Sequence, residues 1–196
     1  MSLLLQNPQP DQEMIMVGNN VLSDEAKKVL NEYISTHELT SAETRQPTDE
    51  EASSAETRKT DIMWIESNET TAPLYWNIAN IVQGMNSEKW SFDINCIETL
   101  QYSVYEEGGH YITHSDAPMV GQAFQDNRKL SFSILLNDPD DFEGGELDVT
   151  AFHQDGHKLL KDEMLMFPSM MPHSVTPVTK GTRKALVGWV RGPNWR

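Results

Sequence analysis

Beyond Trp90 the chain breaks into short runs separated by turn-forming residues, and that rhythm limits what it can fold into. Ser91–Asn95, Leu100–Tyr105, Lys129–Leu136, Glu146–Thr150, Glu163–Phe167, His173–Val178 and Arg183–Val190 all have strand length. Between them stand Gly108-Gly109, Asn137-Asp138-Pro139, Gly144-Gly145, Gln154-Asp155-Gly156 and Lys180-Gly181, which supply the unusual or fixed φ angles of tight turns. Strands this close leave no room for the crossover helices of βαβ units. The expected fold is therefore mainly β, a double-stranded β-helix (jelly roll) of about eight strands.

The N-terminal half reads differently. Met14-Ile15-Met16-Val17 is a candidate short strand. Ala26, Val29, Leu30, Tyr33 and Ile34 fall at helical spacing behind Ser23, a residue suited to an N-cap, with Asp24 and Glu25 in the first turn, so a helix is predicted over 23–37. A second is predicted from Pro73 through Leu74, Ile78, Ile81, Val82 and Met85. Both would buttress one face of the β structure. Between them, residues 40–59 contain Ser-Ala-Glu-Thr-Arg twice, at 41–45 and 54–58. A lone pair of copies cannot form a solenoid, and the segment is expected to be a mobile, solvated loop, with a lid over a site as the alternative. At 196 residues the chain is expected to be one domain, 1–196.

Charge narrows the function classes. Thirty acidic and 15 basic residues leave a formal net charge of −15, which disfavours nucleic acid as a partner. No run approaches the ~18–20 apolar residues of a membrane span, and the first residues lack the basic start of a secretory signal, so no membrane association is expected. With Cys96 the only cysteine, no internal disulfide can form, and a reducing, cytoplasmic setting is the default expectation.

Chemistry concentrates in three residues. On an extended segment His114 and Asp116 project to the same side, so imidazole and carboxylate can bind one ion together. Alone, such a triplet is commonplace and usually solvated. A third ligand, His173, supplied by a distant strand, would complete the two-histidine, one-carboxylate face typical of non-haem Fe(II) oxygenases. Ten residues further on, after a Gly turn, stands Arg183. A guanidinium there could grip a carboxylate in two-point fashion while the other end of the same molecule chelates the ion. Residues 173–196 hold five basic side chains and no acidic one, a local field suited to a dianion. The remaining histidines read blandly: His37 at a helix C-terminus, His153 and His157 on a solvated hairpin, and His110 near the site without an assigned role.

These residues, together with Tyr105-Glu106-Glu107-Gly108-Gly109-His110-Tyr111, Arg128-Lys129-Leu130-Ser131, Phe142-Glu143-Gly144-Gly145-Glu146-Leu147 and Gly188-Trp189, resemble the 2-oxoglutarate/Fe(II) dioxygenases of the prolyl 4-hydroxylase type, particularly the PKHD-type hydroxylases. The resemblance covers residues 100–192. It implies that His114, Asp116 and His173 hold Fe(II), that Arg183 binds the distal carboxylate of 2-oxoglutarate with help from the Tyr105 hydroxyl, and that Tyr111, Arg128 and Trp189 line a prolyl substrate site. For Tyr111 and Trp189 a core role is the competing expectation, and for Arg128 a strand tether. O2 would be the cosubstrate and ascorbate the reductant. A proline-containing peptide or protein is the implied partner, with a basic one such as a ribosomal protein complementing the enzyme's charge. Hydroxylation of a free amino acid or other small molecule is the alternative, and a non-catalytic jelly-roll module the competing class. A nucleic-acid demethylase is disfavoured by the acidic total.

Overall fold

The computed structural model describes residues 14–42, 57–117, 128–149 and 158–193. Within them fourteen strands and two α-helices follow one another: β1 (Met16–Gly18), α1 (Asp24–Thr36), β2 (Thr40–Ser41), β3 (Arg58–Lys59), β4 (Asp61–Ile65), α2 (Ala72–Lys89), β5 (Cys96–Ile97), β6 (Leu100–Tyr105), β7 (His110–His114), β8 (Arg128–Leu135), β9 (Phe142–Gly144), β10 (Leu147–Asp148), β11 (Met164–Pro168), β12 (His173–Val175), β13 (Val178–Gly181) and β14 (Arg183–Arg191). A major sheet runs β1-β11-β8-β14-β6-β4-β2, with β5 also paired to β14; a minor sheet runs β10-β12-β7-β3, and β13 pairs β9. Every pairing is antiparallel. The mainly β jelly roll and its two buttressing helices match the expectation.

Alternation along the major sheet separates two environments. Because successive side chains point to opposite faces, Leu100, Tyr102 and Val104 of β6, Leu130, Phe132 and Ile134 of β8, Met164 and Met166 of β11 and Leu186 and Val190 of β14 share one apolar cluster. The helices cover it, α2 through Leu74, Ile78, Val82 and Met85 and α1 through Ala26 and Leu30. Fully burying such side chains contributes roughly 1.5–3 kcal/mol each. The opposite face of the same strands carries Gln101, Ser103, Tyr105, Ser131, Ser133, Arg183 and Trp189, all buried. These polar groups share that inner face with a second apolar cluster, to which Leu135 of β8 and Leu165 and Phe167 of β11 belong. Gly188 belongs to the helix side, where a Cβ would lie 2.3 Å from Phe132 Cζ.

Local signals account for most element ends. Ser23 caps α1, accepting from the Ala26 N–H at 3.2 Å, and His37 sits at its C-cap, stacked on Tyr33. Pro73 lies in the first turn of α2, which continues past the predicted Met85 to Lys89.

Three expectations need correction. Ser91–Asn95 is not a strand; Phe92 and Ile94 pack against the helix-side cluster, and pairing with β14 begins only at Cys96–Ile97. His173–Val178 is not one strand but is split between β12 and β13 on different sheets at Thr176-Pro177, where proline has no N–H to give a ladder. The 40–59 segment is not wholly loop, since its ends form β2, paired to β4, and β3, paired to β7. Residues 43–56, with most of both pentapeptides, lie outside the described residues, as do Gln154-Asp155-Gly156, His153 and His157. Among the described residues no helix is long and apolar enough to cross a membrane.

An ion cluster ties β8 and β14 to the turn before β6. Glu98 accepts two hydrogen bonds from Arg128, at 2.8 and 2.7 Å, and another from Arg191 Nε. Half-burial pushes its carboxyl upward, but the bonds from both guanidinium groups outweigh that and hold it below the usual carboxylate range. A folded-state pKa below the unfolded one means stability that is present above the unfolded carboxyl value and lost as pH falls through the folded value. Glu98→Gln is therefore expected to lower unfolding stability at pH 7 by roughly 1–2 kcal/mol. Urea unfolding at stepped pH checks this: the difference from the parent should shrink toward zero below about pH 4.

Candidate metal and cosubstrate site

His114 ends β7 and His173 begins β12, and the two strands pair with these residues directly opposite. Each imidazole is held from behind. Nδ1 of His114 lies 2.9 Å from the Ile112 carbonyl, and Nδ1 of His173 lies 3.0 Å from the Met171 carbonyl. A carbonyl only accepts, so Nδ1 carries a proton in both rings, and in the neutral form Nε2 offers its lone pair toward Asp116 and the cavity. Asp116, just past β7, completes the group: its Oδ1 is 3.7 Å from His114 Nε2 and its Oδ2 is 3.4 Å from His173 Nε2. One donor atom from each residue falls within 4.8 Å of the others. Burial, followed by the neighbouring His173, holds the His114 pKa below its ordinary value, favouring the neutral ring that a cation requires.

Aromatic rings fix the imidazoles laterally. Tyr111 stacks on His114 with centroids 3.6 Å apart, and Phe167 tilts against His173 at 4.8 Å. Burial raises the Tyr111 hydroxyl pKa.

The donor group lines a cavity of about 420 Å³ that also contains Tyr105, Arg183, Tyr111, Arg128 and Trp189. All eight residues singled out from the sequence thus meet in one space. Arg183 and Tyr105 are register partners on β14 and β6, with the guanidinium carbon 5.4 Å from the Tyr105 ring centroid. Arg183 is only 2% exposed, and no carboxylate among the described residues pairs with it. Burial depresses its pKa. A desolvated cation with no described partner is costly, and an anion in this cavity could pair with it. Gly145 leaves space for it: at φ +64° a Cβ would press within 3.1 Å of Arg183 Cδ.

The structure places the substrate-side residues as follows. Arg128 both tethers strands, through Glu98, and lies over Trp189, 4.3 Å from the ring centroid, while lining the cavity. Trp189 is buried, and its Nε1 has no hydrogen-bond partner among the described residues. Tyr111 is a cavity residue as well. Four contributors were missed. Arg58 caps the Tyr111 ring at 4.7 Å, Trp64 stands 6.1 Å from Trp189, Ser131 bonds Asp116, and Glu98 holds Arg128. His110 bonds the Gly108 carbonyl and is not among the cavity residues.

Residues 100–191 match the model of the 2OG-Fe(II) oxygenase superfamily. The PKHD-type hydroxylase of Gloeothece citriformis is 43% identical over 96 residues, covering 48% of this chain and 43% of that protein. That of Idiomarina loihiensis is 39% identical over 97 residues, covering 47% and 43%. The chain thus spans under half the length of these relatives. A Pseudomonas putida prolyl-4-hydroxylase superposes with TM-score 0.66 at 18% identity, covering 92% of this chain and 93% of that one. The viral collagen prolyl hydroxylase from Paramecium Bursaria Chlorella virus-1 gives 0.69 at 18%, covering 95% and 100%. A Trichoplax adhaerens prolyl hydroxylase, in complex with a hypoxia inducible factor peptide fragment, gives 0.64 at 22%, covering 91% and 83%. At these identities the structures speak to the fold, and the sequence matches to the family. Residues 100–191 thus carry the match to the 2OG-Fe(II) oxygenase superfamily and are similar in sequence to the PKHD-type hydroxylases.

Proposed function

We propose that this chain is an Fe(II)- and 2-oxoglutarate-dependent dioxygenase that hydroxylates prolyl residues of a protein substrate, with O2 consumed and succinate and carbon dioxide released. One observation carries the reading: a single cavity joins the His114, Asp116 and His173 donors to Arg183, a buried cation without a described carboxylate partner. The donor set fits the metal, since two neutral imidazoles and one carboxylate suit Fe(II) and leave other positions open. The orphaned guanidinium fits the cosubstrate, whose distal carboxylate it would bind with two parallel N–H groups beside the Tyr105 hydroxyl.

The bound iron and cosubstrate supply the oxidising chemistry, with ascorbate as the reductant that keeps the metal in service. The chain's own residues do the rest. His114, Asp116 and His173 hold the ion on one side. Phe167, Leu147 and Val175 give that part of the cavity apolar walls that keep water back. Tyr111, Arg128 and Trp189 present rings and a fixed guanidinium to the substrate. Arg58 and Trp64 extend this surface.

A protein or peptide partner is supported by the peptide-bound Trichoplax relative in fold. A basic target such as a ribosomal protein suits the net charge of −15. The free, exposed Cys96 suits a reducing, cytoplasmic setting.

Succinate release from 2-oxoglutarate under Fe(II) and ascorbate, with and without proline-containing peptides, tests the reading. Peptide-stimulated turnover is expected, falling at least 100-fold in His114→Ala. Turnover stimulated by free proline and indifferent to peptides would transfer the activity to small molecules, and absence of iron binding would leave a non-catalytic module. Arg183→Gln is expected to raise the KM for 2-oxoglutarate by one to two orders of magnitude, about 1.4–2.7 kcal/mol of lost ion pairing. Iron affinity measured by calorimetry should change little in that variant.

A further inference from the structure

Behind Asp116 lies a support that the metal reading does not use. Ser169, in the turn between β11 and β12, is wholly buried. Its carbonyl accepts from the N–H groups of Asp116 and Ala117, each at 3.0 Å, and from the Ser115 hydroxyl at 3.1 Å. Its own N–H donates to the Lys129 carbonyl of β8 at 3.0 Å. Its hydroxyl lies 2.9 Å from Ser131 Oγ, which is 2.7 Å from Asp116 Oδ2.

Proton counting gives the direction of this chain. An ionised carboxylate only accepts, so the single Ser131 proton goes to Asp116, and the Ser169 hydroxyl must then donate to Ser131. Ser131 is 1% exposed and Ser169 0%, so bulk water does not compete and the first bond polarises the second. Ser169 therefore grips Asp116 twice, by its backbone directly and by its side chain through Ser131.

We infer that Ser169 and Ser131 are positioning residues for Asp116: the hydroxyl relay onto Oδ2 fixes the carboxylate in one orientation, with Oδ1 facing His114 Nε2 at 3.7 Å and Oδ2 facing His173 Nε2 at 3.4 Å, so that it would meet the ion pre-oriented. This inference rests on the proposed metal site, and its test separates the two.

Co(II) is titrated into the metal-free full chain, following affinity by calorimetry and coordination by visible absorption, with melting curves checking that each variant is folded. The parent should bind one Co(II) in a His114-dependent manner; failure here would overturn the metal site and the relay with it. Ser131→Ala should bind about 10-fold more weakly or worse, in the 10–100-fold range of outer-shell changes at metal centres, with shifted absorption bands. Ser169→Ala should weaken binding by a smaller factor. The double variant should bind no more weakly than Ser131→Ala, because the Ser169 hydroxyl acts only through Ser131. Parent-like affinity and bands in Ser131→Ala, or losses that multiply in the double variant, would overturn the relay while leaving the metal site standing. Should Ser131→Ala not fold, Ser169→Ala decides by the same bands: shifted supports the relay, unshifted rejects it.

Discussion

The site is organised around a cation that the described fold leaves uncompensated. Arg183 begins β14, the strand that pairs with β8, β6 and β5, so its place is fixed by the centre of the major sheet and not by a loop. Burying a guanidinium without an anion is among the more costly things a small domain can do. Under the proposed function a ligand carboxylate offsets that cost, and the donor group formed where β7 meets β12 lines the same cavity. On that proposal, charge at one location and metal-ready lone pairs at another suit a chelating acid that engages both.

The rest of the molecule serves that pairing. The major sheet packs one apolar face against the helices and carries the site residues Tyr105, Ser131, Arg183 and Trp189 on the other, so the layer that stabilises the fold also aims the functional side chains. Close packing on the helix side, where Gly188 admits the Phe132 ring, holds the sheet that Arg183 and Trp189 stand on. Rigid placement is what precise binding geometry requires. Support continues outward: carbonyls behind both imidazoles, hydroxyls behind Asp116, and Glu98 behind Arg128.

How much of this could be read beforehand depended on whether a signal was local. The Ser23 cap, the helical spacing of Leu74, Ile78 and Val82, and the alternation in Leu100–Tyr105 and Arg183–Val190 are properties of adjacent residues, and they placed their elements well. His114, Asp116, His173 and Arg183 were legible because an ordered set of motifs joins them. Ser91–Asn95 misled because alternating apolar residues describe burial, and a strand also needs a partner. Arg58 and Trp64 were missed for a complementary reason: β3 is two residues long, and β4 is recognisable only from its pairing with β6. Ser169 occupies a turn, where no periodicity points to the carboxylate it supports. Side chains that act through tertiary hydrogen bonds leave no pattern in the sequence.

The central claim is that one ligand spans the metal donors and Arg183. Anaerobic calorimetry with Mn(II) in place of Fe(II) addresses it directly, comparing 2-oxoglutarate with 2-oxopentanoate, which lacks only the distal carboxylate, in the presence and absence of metal. The account predicts tight binding of 2-oxoglutarate that falls at least 10-fold when either the metal or the distal carboxylate is removed. Equal affinity for the two acids, or affinity unchanged by the metal, would contradict it.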